Sequence, residues 1–279
     1  MPIHDQSYRR YHGPRAPGGR AWTVIAKAGV RNMLAKRKFL GLLIIAWLPF
    51  VVRTVQLYLA ANFPQMQIIS PDPKLFRDFL EQQSLWVFFI TIFTGAGLVA
   101  NDLRANALQI YLSKPLDRLE YIAGKFAVLA FFILLVTWLP ATMLVLMQIV
   151  FAGNLTFISA NLFVVPAIVV YTGVETLVTG LIMLALSSLS KSARFVGIMY
   201  AGIIFFSQAL MAVLTAVTHD TGFAWISVGA CLMQIGDLLF RLPGRFQMSG
   251  AVTALALAVL AGLAVLVLER RVRGVEVVT

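Results

Sequence analysis

Six stretches with at most one charge each alternate with polar segments along the chain. They cover residues 39–61, 84–100, 126–151, 162–189, 195–217 and 248–268. A helix needs about 20 apolar residues to cross a hydrocarbon core roughly 30 Å thick, and it satisfies its backbone amides internally. The pattern therefore predicts an all-α membrane protein with six transmembrane helices. Pro140 and Pro166 predict kinks in the third and fourth spans.

Three shorter segments outside these spans also have helical patterns. Residues 21–38 place Trp22 and Met33 on one face and Lys27 on another, which is typical of an interfacial helix, although a plain extension of the first span is an alternative. Residues 76–80 predict a short helix on the outer interface. Residues 224–242 predict an outer amphipathic helix between spans five and six. Its apolar positions are 225, 228, 232, 235 and 239, and its polar positions 227, 234, 237 and 241 are expected to turn away.

Composition supports a single membrane domain over residues 21–279. The chain is 59% hydrophobic and 13% charged, which no ordinary soluble domain matches. Residues 1–20 are basic, rich in proline and glycine, and carry no apolar signal region, so they predict a disordered tail. The only cysteine is Cys231 and the three histidines lie outside the spans, so the sequence indicates neither a disulfide nor a metal site.

Basic residues are distributed unevenly between the two predicted membrane faces. Of the 23 Lys and Arg residues, 18 lie in the N-terminal segment, in the loops after spans two and four, and in the C-terminal tail. Short cytoplasmic segments collect Lys and Arg. Both termini and the 101–125 loop are therefore predicted to be cytoplasmic, and the net charge of +11 needs no nucleic-acid partner to explain it.

Two ionisable residues lie within the predicted spans. A carboxylate such as Glu175 costs about 2.5 to 3.5 kcal/mol at the bilayer centre unless it faces protein or water. Tyr171, Glu175 and Thr179 recur every four residues, so this face should point into the bundle. Arg53 lies at a similar depth, which favours a Glu175–Arg53 ion pair. A substrate-contacting or proton-handling Glu175 and a neutral Glu175 are the alternatives.

The connection between spans two and three, residues 101–125, carries the most specific pattern. It reads NDLRANALQIYLSKPLDRLEYIAGK. Its apolar side chains have no bilayer to cover them and predict a docking surface for a partner. They are Leu108, Ile110, Tyr111, Leu112 and Leu116. A solvated loop held by its own charges is the alternative.

This loop contains a characteristic order of residue types. An acidic residue and an arginine come first, then a leucine-rich run and a Ser-basic-Pro sequence, and finally Arg, Tyr, Gly and Lys. They are Asp102, Arg104, Leu108, Tyr111, Leu112, Ser113, Lys114, Pro115, Arg118, Tyr121, Gly124 and Lys125. Over these residues the sequence resembles the type 2 permeases, the membrane subunits of ATP-binding-cassette transporters. Asn106 and Ala107 depart from the Gly and Thr that this family often has.

The resemblance implies a half-transporter, an exporter of the bacterial inner membrane that works as a dimer with a second permease copy or homologue. Its 101–125 loop would dock on a separate ATPase subunit, which would hold ATP and Mg²⁺. The sequence has no G-x-x-x-x-G-K-[ST] motif for binding ATP. The H-E-x-x-H and G-x-S-x-G motifs of hydrolytic enzymes are also missing. We therefore expect no cofactor on this chain and no enzyme activity. Membrane lipids are the remaining expected partners. The alternative function is a membrane scaffold or anchor that recruits a cytoplasmic partner without transport, and a polar interior around Glu175 would argue against it.

Overall fold

The computed structural model describes residues 21–63, 72–107 and 118–272. All regular elements in these ranges are helical. They are α1 Ala21–Leu34, α2 Arg37–Ala46, α3 Leu48–Asn62, α4 Pro73–Gly95, α5 Ala100–Arg104, α6 Arg118–Val136, α7 Trp138–Ala152, α8 Thr156–Ala160, α9 Val164–Leu189, α10 Ala193–Thr218, α11 Val228–Leu239 and α12 Gly250–Arg271, with a 3₁₀ helix at Gly222–Ile226. The predicted tail 1–20 and the predicted docking residues 108–116 lie outside the described ranges.

Six helical segments are long and apolar enough to cross a membrane, which confirms the predicted all-α membrane fold. They are Arg37–Asn62, Pro73–Arg104, Arg118–Ala152, Val164–Leu189, Ala193–Thr218 and Gly250–Arg271. Successive spans run in opposite directions. We call the end that holds α1, α5 and the start of α6 the basic end, and the end that holds α11 and the start of α4 the opposite end.

Proline determines where two of the spans bend. The first span is divided into α2 and α3 at Trp47, just before Pro49, and the third into α6 and α7 at Thr137, just before Pro140. Proline lacks a backbone donor and clashes with the carbonyl four residues earlier, so the predicted kink at Pro140 is confirmed. The predicted kink at Pro166 is wrong, because this proline lies in the first turn of α9, where the ring is tolerated.

Helix α4 begins earlier than the hydropathy pattern indicates. Asp72 caps it by accepting a hydrogen bond from the Leu75 amide at 3.1 Å, and Pro73 occupies its first position. Phe76 and Phe79 are completely buried against α7 and α9 instead of resting on a membrane interface. The predicted short surface helix is therefore wrong, because it is the first part of the second span.

Helix α9 lies at the centre of the bundle and is the most buried of the six spans. It packs against α4, α6, α10, α11 and α12. At the basic end, α1 crosses α6 closely at Gly124, where an added Cβ would lie 2.9 Å from the Trp22 carbonyl oxygen and 2.8 Å from the Ile25 Cβ. Glycine at this position lets the two helices touch, so α1 is held against the bundle.

Candidate functional site

A buried carboxylate occupies the middle of the bundle. Glu175 on α9 is 1% exposed, and its Oε1 accepts a hydrogen bond from the Ser84 hydroxyl of α4 at 2.9 Å. Thr179 donates to the Glu175 carbonyl oxygen at 2.6 Å, and Tyr171 is buried on the same face. The face predicted from the four-residue spacing therefore does point into the protein.

A small cavity of about 90 Å³ lies beside this carboxylate. Its polar lining comes from Ser84, Tyr171, Glu175, Thr179 and Tyr200, and α11 contributes apolar side chains to it. The second carboxylate oxygen of Glu175 has no hydrogen-bond partner among the described residues. A buried oxygen without a partner is costly unless water, a proton or a polar ligand satisfies it. The cavity can therefore hold a small polar group or exchange a proton.

The predicted Glu175–Arg53 ion pair is wrong. Arg53 on α3 donates from Nη1 to the Gln56 Oε1 at 3.2 Å and faces a different cavity at the opposite end. Ser84 of α4 contacts Glu175, whereas the adjacent Leu85 lines the Arg53 cavity, so the two charged residues meet different sides of α4. Depth does not specify which way a side chain points around its helix, and α4 presents Ser84 to Glu175 in place of the arginine.

The ends of the 101–125 connection are tied together at the basic end. Asp102 of α5 accepts a hydrogen bond through Oδ2 from the Tyr121 hydroxyl of α6 at 2.7 Å, and the Lys125 Nζ lies 2.7 Å from the same oxygen. The Lys125 Nζ also lies 5.4 Å from the centre of the completely buried Tyr121 ring. We call these three residues the loop clamp. Arg104 and Arg118, predicted for the same site, are exposed.

A network of charges at the opposite end was not predicted. Arg77 of α4 lies 3.0 Å from Asp78, 3.4 Å from Glu81 and 3.0 Å from Asp237 of α11. Arg245 lies 2.6 Å from Glu81 and 3.1 Å from Asp237. We call these five residues the charge network. In the sequence the four-residue spacing of Arg77 and Glu81 indicates part of it. The Arg77–Asp237 and Arg245–Glu81 pairs join distant segments, so the sequence could not indicate them.

The charge network overturns the predicted orientation of the α11 polar face. Asp237 and Ser227 are completely buried, and Gln234 donates from Nε2 to the Met248 carbonyl oxygen at 3.0 Å. The pKa of Asp237 is raised above its ordinary value, because the effect of burial is larger than the opposing effect of the Arg77 guanidinium. Ser227, Gln234 and Asp237 therefore face the protein, and the prediction is wrong for them. Arg241 is exposed, as predicted.

No protein-family model matches the sequence, and the comparison with curated proteins also gives no match. The fold that the structure shows is that of a multi-pass, all-α membrane protein.

Proposed function

We propose that this chain is the permease subunit of an ATP-binding-cassette transporter, an exporter that works as a dimer. The observation that carries the proposal is the loop clamp. Asp102, Tyr121 and Lys125, three of the residues on which the family resemblance rests, meet within hydrogen-bond distance, and Gly124 beside them receives α1. Three of the residues behind the resemblance therefore join the two ends of the connection, which supports the proposal.

The clamp makes the connection a mechanical link. Because Asp102 is joined to Tyr121 and Lys125 by short, charge-assisted contacts, a displacement of the residues between them moves α5 and α6 together. A partner ATPase that grips the 101–125 loop would therefore move two spans at once. ATP and Mg²⁺ would be bound by that partner and supply the energy.

A single hydroxyl on α9 connects the same region to the buried carboxylate. Ser187 accepts hydrogen bonds from the amides of Val99 and Ala100 at 3.1 and 3.0 Å and donates to the Ala96 carbonyl oxygen at 3.0 Å. Ser187 thereby provides hydrogen-bond partners for backbone groups between the end of α4 and the start of α5. Ser187 lies twelve residues along α9 from Glu175, about 18 Å at 1.5 Å per residue. Movement at the clamp can reach the Glu175 cavity along one rigid helix.

The polar interior favours transport over the scaffold alternative. A membrane anchor gains nothing from a completely buried Glu175 with a cavity beside it, and intramembrane ionisable residues commonly mark transport pathways. The hydroxyls of half-buried Ser84 and of buried Thr179 and Tyr200 line that cavity. These polar groups inside the bundle support a transport function over a scaffold.

The membrane and its orientation are part of the proposal. Most Lys and Arg residues lie at the basic end, and the positive-inside rule places that end in the cytoplasm. The proposal assigns the protein to the bacterial inner membrane with both termini cytoplasmic, so that the 101–125 loop can reach a cytoplasmic ATPase.

Capture of the ATPase tests this function. Tagged protein is purified from native membranes in mild detergent, and its vanadate-sensitive ATP hydrolysis and co-purifying subunits are measured. We expect a subunit with a phosphate-binding loop, and we expect Tyr111→Asp, Leu112→Asp and Leu116→Asp to lose it. Leu189→Asp introduces the same charge at the exposed last residue of α9, also at the basic end, and should retain the ATPase.

The outcomes separate the two functions. If no ATP-hydrolysing subunit is captured but another protein binds through Tyr111 and Leu112, the scaffold alternative is favoured and the transporter proposal is wrong. If the ATPase is captured equally well by all three loop variants, the docking site lies elsewhere.

A further inference from the structure

An open cavity of about 990 Å³ lies at the opposite end of the bundle. It is bounded by α3, α4 and the connection between α11 and α12, and its lining includes Arg53, Lys74, Arg245 and Leu85. Lys74 and Leu85 are eleven residues apart on α4, so the cavity follows this helix for about 16 Å. It therefore extends from the end of the bundle well into the depth of the spans.

The cavity holds two basic side chains that have no acidic partner. Arg77 and Arg245 form ion pairs with the acidic residues of the charge network. Within the described ranges, Arg53 donates only to the neutral Gln56 amide oxygen. In the same ranges Lys74 is in none of the ion pairs. Residues 64–71, which precede α4, contain no Asp or Glu. Together the cavity and the charge network hold four basic and three acidic side chains, which leaves a net charge of +1.

The position of Arg53 makes a missing counter-charge costly. Arg53 lies within the first membrane span, is half-buried, and shares its cavity with Leu85 of α4. A guanidinium at such depth is expensive unless it meets an anion or water. An anion drawn into the cavity would reduce that cost.

Apolar surface continues from the deep end of the same cavity. Leu85 is 58% exposed, and Phe89, one turn further along α4, is 45% exposed on the same side. A free inorganic anion would gain nothing from this strip, whereas an amphiphile would bury a hydrocarbon chain along it. The basic cavity and the apolar strip together favour a molecule that has both an anionic group and an apolar chain.

We propose that this cavity binds the anionic phosphate headgroup of a membrane amphiphile. Arg53 and Lys74 contact the headgroup, and Leu85 and Phe89 contact the first part of its apolar chain. This site does not depend on the transporter proposal, since a bound lipid can be either a resident component or cargo.

Native mass spectrometry of the full-length protein tests the site. The purified protein in detergent is titrated with phosphatidylglycerol and, separately, with zwitterionic phosphatidylcholine. We expect the wild type to prefer phosphatidylglycerol. Arg53→Gln and Lys74→Gln should each weaken its binding by about tenfold, the effect of losing one charge-assisted contact, and Arg53→Lys should keep most of the affinity.

A matched control removes one charge from the same end. Arg241 lies outside the cavity, 4.4 Å from the Phe163 ring centre, and Arg241→Gln should bind phosphatidylglycerol within about twofold of the wild type. Thermal unfolding of each variant shows whether it is folded. An equal loss in Arg241→Gln, or no loss in the folded Arg53→Gln protein, would overturn the proposal.

Competition with inorganic phosphate distinguishes the two sources of the anion. We expect millimolar phosphate to leave phosphatidylglycerol bound, because phosphate lacks the apolar chain. If phosphate displaces the lipid at matched concentration, the site binds a free anion and the amphiphile assignment is wrong.

Discussion

Asp237 offers the sharpest test of how α11 is attached to the bundle. Its completely buried carboxylate lies 3.0 Å from Arg77 of α4 and 3.1 Å from Arg245. If these contacts hold the helix, replacing Asp237 with asparagine should destabilise the protein. A neutral side chain of nearly the same shape removes the charge without leaving a cavity.

The expected loss of unfolding free energy depends on which acidic partners Arg77 and Arg245 keep. Removing one partner of a fully buried ion pair costs about 3 to 5 kcal/mol, because the other charge stays buried. Arg77 keeps Asp78 and Glu81, and Arg245 keeps Glu81 and is about one-third exposed at 33%. Asparagine also still accepts one hydrogen bond. We therefore expect Asp237→Asn to lose about 2 kcal/mol of unfolding free energy.

Unfolding in mixed micelles of increasing dodecyl sulfate content, followed by circular dichroism, measures this loss. Asp220→Asn is the matched control, because Asp220 is an exposed carboxylate of the preceding loop that accepts from the Gly222 amide at 2.8 Å. It should change stability by less than about 0.5 kcal/mol. A double variant with Arg77→Met should lose at least about 1 kcal/mol less than the sum of the single losses.

Equal stabilities of the Asp237→Asn and Asp220→Asn proteins would refute this reasoning. It would mean that apolar packing alone holds α11, and that the buried charges contribute nothing to its attachment.

Three further predictions concern the core, the clamp and the topology. Arg53 and Glu175 do not meet, so exchanging their charges in an Arg53→Glu, Glu175→Arg double variant should not restore folding that either single variant loses. Yield and melting temperature measure this. Gly124→Ala should loosen α1 and speed its proteolysis, whereas Gly202→Ala, with no atom within 4 Å of the added methyl, should not. A Ser113→Cys side chain in a cysteine-free background should react with an impermeant maleimide only after the cells are opened, and labelling of intact cells would contradict the proposed topology.

The six spans could be predicted because each depends on the composition of a continuous segment. Length and hydropathy are local properties, and the bend at Pro140 is caused by a residue inside the span itself. The start of α4 was missed because charged residues 77, 78 and 81 make the segment look like a surface helix. Asp237, the buried partner of Arg77, and Arg245, which pairs with Glu81, lie far along the chain. Hydropathy alone could therefore not reveal that the segment is buried.

The site was only partly predictable for the same reason. The spacing of Tyr171, Glu175 and Thr179 identified an inward-facing polar surface, since spacing determines which side chains share a helical face. The partner of Glu175 depends on how α3 and α4 are rotated about their axes, which no residue count provides. The interpretation of Asp237 was wrong because an amphipathic pattern does not distinguish a solvated polar face from one that meets a buried arginine, here Arg77.

The central claim is that the 101–125 loop binds an ATPase made as a separate chain. Photo-crosslinking from a benzoylphenylalanine placed at Tyr111 tests it most directly, with the crosslinked product identified by mass spectrometry. We predict a covalent product with a subunit that carries a phosphate-binding loop, and no such product from the same label at Leu189. Crosslinks only to lipid or to this chain itself, with the ATPase present in the membrane, would contradict the claim.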